Sequence, residues 1–323
     1  MKDLHILPKV RDSFSYLYVE HCRIDQEDKA IALHDAQGKR PVPCANLTML
    51  MLGPGTRITH AAVQALTDNG CMALWTGEQG VRMYAQGMGE TRSARNLLRQ
   101  AYLCTHPHLR LRVVRRMYEM RFEEKLEQSL TLQQIRGREG IRVREAYQKA
   151  SRETGMEWQG RSYKRDSWTS ADPVNRALSA ANSCLYGICH AAIVSTGYST
   201  ALGFIHTGKM LSFVYDIADL YKVEITIPLA FQVVNETNGE NPEREIRRKC
   251  RDVFYDNKLL QRIVPDIAKA LDVVEVNERK DLDFDSDYAL PGGLWNPEIE
   301  TVEGGMNWSQ AGEGEFTNGN DNS

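Results

Sequence analysis

Apolar and polar positions alternate with a period of two in the first part of this chain and with a helical period in most of the rest. From Ser13 to Ile24 the stretch SFSYLYVEHCRI reads as a strand, Asp35 to Gly38 as a hairpin turn, and Pro41 to Leu52 as further strand-forming sequence. Thr59 can cap a helix, HAAVQALTD, that stops at Asn69-Gly70; CMALWT then reads as a buried strand before GEQG turns into VRMYAQG. After Gly89 helical patterns or helix-start signals cover Arg92–Cys104, His108–Glu127, Leu130–Glu153, Pro173–Thr196, Ser212–Tyr221, Pro242–Tyr255 and Lys258–Leu271. The segment from Pro173 has Asp172-Pro173 at its start, a stripe of Val174, Leu178, Ala181, Leu185, Ile188 and Ala192, and Gly197 at its end. The pattern predicts an α+β chain, with a small β-rich domain over residues 1–89 and a larger all-α domain over 90–279. The tail, 280–323, is acidic and rich in Gly, Asn and Ser, and is expected to be disordered. Trp295 and Trp308 are its candidates for docking on a partner.

Three carboxylates sit where the pattern does not favour them. Asp216 and Asp219 fall one turn apart beside the stripe Phe213, Val214, Ile217, Leu220 and Tyr221, so like charges share a face next to a buried surface. Glu139 is in helical register with Ile135, Val143, Ala146 and Tyr147, between Gly137 and Gly140, which suggest close approach to a ligand. With His206 on a Gly-flanked loop, the set offers hard oxygens and one imidazole, which suits Mg²⁺ or Mn²⁺ better than Zn²⁺. On spacing alone each has a plainer reading. Glu139 serves equally as an ion-paired core residue, the aspartates as helix solvation or a cap, and His206 as a satisfied buried histidine.

Charge sharpens the picture. The net charge is −3, yet from Asp272 onward thirteen acidic residues face two basic ones, while residues 1–271 carry 38 basic and 30 acidic. The excess concentrates between Arg92 and Arg165, where eighteen Lys and Arg, mostly Arg, face eight acids. Such a field attracts phosphate backbones. Seven scattered cysteines without metal-ligand spacing read as reduced thiols, and Cys184 and Cys189 beside His190 as helix packing. No apolar run approaches the roughly 18 to 20 residues of a membrane span, and MKDLHILPKV lacks a signal-peptide core, so a cytoplasmic protein is expected.

GPGTRITHAAV (Gly53–Val63), RGREGIRVR (Arg136–Arg144), SCLYGI (Ser183–Ile188) and GFIHTGKMLSFVYDIADL (Gly203–Leu220) resemble the CRISPR spacer-acquisition integrase family, subtype I-E, over about Ser13 to Val274. The resemblance implies an all-α catalytic domain with metal ligands Glu139, His206 and Asp216, and with Asp219 as a further catalytic acid. It implies DNA contacts at Arg57 and Arg82 on the β-rich domain and at Tyr186 near the active site. Lys209 and Tyr215, flanking the metal loop, and Tyr163 and Trp168, within RSYKRDSWTS, have the composition to hold single-stranded overhangs. His21 and Gln64 depart from the family pattern, which carries Tyr and Arg there.

The implied activity is integration of protospacer DNA into a CRISPR array. A DNA 3′-hydroxyl attacks a phosphodiester with Mg²⁺ or Mn²⁺ present, and the reverse reaction gives endonuclease or disintegrase activity. Implied partners are double-stranded DNA with 3′ overhangs, CRISPR repeat DNA, a second copy in a homodimer, and the small second CRISPR adaptation protein in a heterohexamer-like complex. A branched-DNA nuclease or phosphodiesterase would use the same ligands. A non-enzymatic DNA-binding module would leave Glu139 and the Asp pair as unexplained costs.

Overall fold

Why the alternating segment does not remain one strand is settled at His21. In the computed structural model of the chain, residues 16–27, 30–44, 47–80, 82–87, 94–161, 172–273, 294–296 and 300–302 are described. His21 takes a left-handed φ of 50° and donates its N–H to Pro54 O, so the expected single strand breaks into β1 (Tyr16–Val19) and β2 (Arg23–Glu27). There follow β3 (Ala30–Asp35), β4 (Gly38–Pro43), β5 (Met49–Leu52), β6 (Arg57–Ile58), α1 (His60–Asp68), β7 (Met72–Thr76) and β8 (Met83–Gly87). The turn at Asp35–Gly38 and the Thr59 cap, which accepts from Ala62 N, match expectation. Two four-stranded sheets result, ordered β1-β5-β7-β8 and β4-β3-β2-β6.

The first sheet is shared between two cores. β1, β5 and β7 run parallel, and all four residues of β5 are buried. Met49, Met51, Met72 and Leu74 pack into the helical core, whereas Leu50, Leu52 and Ala73 pack with Ile24, Ile31, Leu33 and Leu66. An interior parallel strand covered on both faces reads as a continuous apolar run, as MLML does. The sheet thus serves as a floor for the helices.

The helical part comprises α2 (Arg95–Thr105), α3 (Pro107–Phe122), α4 (Leu132–Thr154), α5 (Pro173–Ser195), α6 (Ser212–Ala218), α7 (Ile227–Glu236), α8 (Pro242–Asp256) and α9 (Leu259–Leu271). α5 is its axis, touched by α6, α7, α8 and α9. Asp172 caps it by accepting from Asn175 N, with Pro173 at the first turn. By length and composition α5 could cross a membrane, contrary to the sequence reading, but most of it is buried inside the protein as a core helix.

Two helix boundaries differ from the pattern. α3 stops at Phe122 because Glu123 is left-handed (φ 58°). α6 stops at Ala218, and a π-helical turn, Lys222–Thr226, leads into α7, which the sequence does not announce. The β-branched run Val223, Ile225, Thr226, Ile227 and then Pro228 opposes helix by propensity. Burial of Ile227, Leu229, Ala230, Phe231, Val233 and Val234 overrides it, and Pro228 lies in the first turn, where no N–H is needed. In the acidic tail, Leu294–Asn296 (β9) pairs antiparallel with Glu300–Val302 (β10), where no structure was expected; the rest of the tail, Trp308 included, lies outside the described residues.

Candidate active site

The loop before α6 is built around one buried carboxylate. Asp216 is fully buried, and its Oδ2 accepts the N–H of Phe204 (2.6 Å) and Ile205 (3.1 Å) while Oδ1 accepts that of His206 (2.9 Å). Oδ1 also lies 2.7 Å from His206 Nδ1. An ionised Asp216 accepts a proton-bearing Nδ1, which leaves the His206 Nε2 lone pair free. Behind the loop, buried Gln100 donates to Ser199 O and Leu202 O and accepts from Ser199 N, and Arg110 donates to Phe204 O. Gly203 is required there, since a Cβ would meet His206 O at 2.3 Å.

Asp219 takes a different course. It opens with Glu139 and His206 onto a cleft of about 640 Å³ whose lining does not include Asp216. Asp219 Oδ1 pairs with Lys222 Nζ at 2.6 Å and Oδ2 with Arg121 Nη2 at 3.3 Å. Burial alone raises the Asp219 carboxyl, but Lys222 and then Arg121 outweigh it and hold it below the usual range. The same pairing, with the Tyr186 hydroxyl, raises the Lys222 ammonium against the effect of burial, so it stays charged. Glu139, 15% exposed, accepts from Arg142 Nε (2.9 Å) and Arg121 Nη1 (3.4 Å). Among the described residues no three His, Cys, Asp or Glu side chains form a ready-made metal cluster, and the guanidinium of Arg121 pairs with both Glu139 and Asp219.

The donor set nonetheless fits a hard divalent cation. Two carboxylates and one imidazole nitrogen face the same cleft, a set of hard oxygens with one nitrogen such as Mg²⁺ or Mn²⁺ takes. Gly137 and Gly140 do not serve close packing, since a Cβ at either would meet nothing within 4 Å; Gly140 widens the cleft wall instead.

A family model described as CRISPR associated protein Cas1 matches residues 117–265, a range that includes Arg121, Glu139, His206, Asp216 and Asp219. A CRISPR-associated endonuclease Cas1 of Thermus thermophilus is 52% identical over 97% of this chain and 96% of its own length. This chain belongs to the Cas1 family. A second relative, the CRISPR-associated endonuclease Cas1 of Escherichia coli, is 42% identical over 83% of this chain and 88% of its own. Among solved structures, a crystal structure of a TtCas1-DNA complex superposes with a TM-score of 0.77 at 54% identity, covering 83% of this chain and all of that one. A casposase bound to integration product shares the fold, with a TM-score of 0.51 at 14% identity.

In this Cas1 chain the other expected site residues fall into three groups. Tyr186 and Tyr215 pack edge-to-face at 5.0 Å, Tyr215 meets the His206 ring at 5.8 Å, and Lys222 Nζ lies 5.0 Å over Tyr186, so Tyr186 lines the cleft and Tyr215 backs it beside His206. Lys209 is exposed on the loop after His206, and Arg57 and Arg82 are exposed on the β-rich part, away from the cleft lining. Tyr163 and Trp168 lie outside the described residues, although the neighbouring Arg161 is held to Asn175 and Ser179 at the cleft edge. Cys184 and Cys189 are buried packing residues, as expected.

Sequence reasoning missed Arg121, Lys222, Gln100 and Arg110. A signal existed for the first two. Arg121 continues the buried stripe Val113 and Met117 at intervals of four, and Lys222 follows Asp219 by three.

Proposed function

We propose that this chain is a divalent-metal-dependent DNA integrase of CRISPR adaptation, of subtype I-E, that inserts protospacer DNA into a CRISPR array. The observation that carries the reading is that Glu139, His206 and Asp219 line one cleft, with the imidazole fixed by buried Asp216 so that Nε2 is free. In this reading Asp219 rather than Asp216 is the third ligand, which is supported by the Asp216 carboxylate spending its short contacts on loop N–H groups and His206 Nδ1. Mg²⁺ or Mn²⁺ held by these three would polarise a phosphodiester and bind the attacking 3′-oxygen.

The protein's own part is positioning and charge. Lys222 and Arg136 offer cations to a phosphate in the cleft. Tyr186 and Tyr215 form a rigid aromatic wall beside His206, suited to hold a strand end in line with the scissile bond. Tyr163, Trp168 and Lys209 are proposed to hold single-stranded overhangs, and Arg57 and Arg82 the duplex. The likeness to TtCas1, solved with DNA, supports a DNA substrate. The proposed assembly is a homodimer joined by the small second CRISPR adaptation protein, acting in the cytoplasm on overhang duplex and repeat DNA.

A strand-joining assay tests this: the protein, the second adaptation protein, a duplex with 3′ overhangs and a supercoiled CRISPR plasmid, with Mg²⁺, Mn²⁺ or chelator. Metal-dependent covalent joining of the duplex to the plasmid is the expected result. Metal-dependent cleavage without joining would instead assign a branched-DNA nuclease.

A further inference from the structure

All four oxygens of the two carboxylates that face the cleft already carry a protein cation. Arg142 Nε holds Glu139 Oε2 at 2.9 Å, Arg121 bridges Glu139 Oε1 and Asp219 Oδ2 at 3.4 and 3.3 Å, and Lys222 Nζ holds Asp219 Oδ1 at 2.6 Å. Signs alternate along the row, with three cations around two anions. Any divalent ion that takes Glu139 and Asp219 must therefore displace or share one of these contacts, and the three cations differ in how readily they give way.

Arg121 is fixed. Its side chain is 3% exposed, it donates also to Asp216 O at 3.4 Å, and its guanidinium lies 5.0 Å over the Tyr118 ring. Its carboxylate contacts are longer than the roughly 2.7 to 2.9 Å of a strong charge-assisted bond, so it neutralises the pair without saturating it. Lys222 is the opposite case. Its ammonium makes the shortest contact of the row, yet the side chain is 25% exposed, on a flexible stem, and lines the cleft where a phosphate would enter. It also sits in the π-helical turn, an irregular element that leaves it reach toward both Asp219 and the Tyr186 ring.

We propose that Lys222 is a placeholder cation: it occupies Asp219 Oδ1 in DNA-free protein and moves to a DNA phosphate when substrate enters, which frees Asp219 for the divalent ion. Metal loading is thereby coupled to DNA binding, and by linkage the coupling is reciprocal. The device keeps the metal site weak until substrate is in place. It rests on the assignment of Glu139, His206 and Asp219 as the metal site, and it makes Lys222 a positioning residue for the reaction.

The test is Mn²⁺ binding to the full chain, followed by electron paramagnetic resonance of the free ion, for wild type, Lys222→Met, Lys222→Gln and Lys222→Arg. Each is measured alone and with an overhang duplex ending in 3′-deoxy residues that cannot join. The same titration on Glu139→Gln subtracts ions held by DNA alone, and circular dichroism identifies any variant that does not fold. Without DNA, Lys222→Met and Lys222→Gln should bind Mn²⁺ roughly fivefold tighter than wild type, the loss of one partly exposed ion pair. Lys222→Arg should bind as wild type does, and the gain in affinity on adding DNA should shrink in the Met and Gln variants only. Unchanged or weaker Mn²⁺ binding by Lys222→Met and Lys222→Gln without DNA would overturn the placeholder while leaving the metal site intact. Wild-type binding no different from Glu139→Gln, with and without DNA, would overturn the metal site itself and the placeholder with it.

Discussion

Asp216→Asn and Asp219→Asn are nearly isosteric changes three residues apart, and the structure gives them opposite signatures. Four donors converge on the Asp216 carboxylate: the N–H groups of Phe204, Ile205 and His206 and the Nδ1–H of His206. An asparagine offers one oxygen with two lone pairs and turns an NH₂ toward the rest. At least one backbone N–H is then unsatisfied and another group opposed, at roughly 1 to 3 kcal/mol each, or about 2 to 6 kcal/mol in all. That is a large share of a typical stability of about 5 to 15 kcal/mol and should lower Tm by on the order of 10 °C. The amide also favours the His206 tautomer with Nδ1 as acceptor, which places the proton on Nε2 and removes the lone pair from the cleft. Asp219→Asn keeps an oxygen for buried Arg121 and leaves the partly exposed Lys222 free to turn away, so it should cost less, at the low end of roughly 1 to 3 kcal/mol, yet it removes a proposed metal ligand. Thermal denaturation with Mn²⁺ titration decides the matter. The expected pattern is a large Tm loss for Asp216→Asn and a small one for Asp219→Asn, with Mn²⁺ binding abolished in the latter. An Asp216→Asn protein as stable as wild type, or an Asp219→Asn protein with wild-type Mn²⁺ affinity, would refute the division of roles.

Gly203→Ala places a Cβ 2.3 Å from His206 O and 2.7 Å from Ser212 Cβ, so it should displace the His206 loop, cost about 1 to 3 kcal/mol and abolish joining in a folded protein; unchanged joining would contradict it. Asp219 has a depressed folded carboxyl, so its pairing contributes stability that is fully present above the ordinary value of 3.8 and lost as pH falls through the lower folded value. Denaturant unfolding followed from neutrality into that acid range should show a shallower acid limb for Asp219→Asn than for wild type. Substituting Tyr163 and Trp168 together should weaken overhang duplexes selectively, by on the order of 1 to 3 kcal/mol per stacked base; equal loss on blunt and overhang duplexes at one salt concentration would show the segment to be structural.

Where local rules and tertiary packing agree, the pattern was readable. Asp172-Pro173 and the stripe through Ala192 locate α5, Thr59 caps α1, and Glu139 does lie on the inner side of α4. Agreement ends where a distant partner decides. The break at His21 depends on the carbonyl of Pro54, and α7 forms against its β-branched start because its apolar face is buried. The aspartates illustrate the limit best. A spacing of three implies one shared helical face, but α6 ends at Ala218, and the buried Asp216 turns back to the loop that precedes it. The buried register of Arg121 was readable from its stripe, but its place in the site was not, because its ion-pair partners lie 18 and 98 positions along the chain, at Glu139 and Asp219.

If Glu139, His206 and Asp219 hold the ion that drives joining, with Asp216 behind them, the ion itself should be visible there. Anomalous diffraction from crystals of the protein grown with Mn²⁺ and an unjoinable overhang duplex tests it most directly. The expected result is a Mn²⁺ peak bonded to a carboxylate oxygen of Glu139, to His206 Nε2 and to a carboxylate oxygen of Asp219, with Asp216 still holding the N–H groups of Phe204 to His206 and no bond to the metal. A peak bonded to Asp216, or full occupancy at a site lacking Glu139 and Asp219, would contradict it.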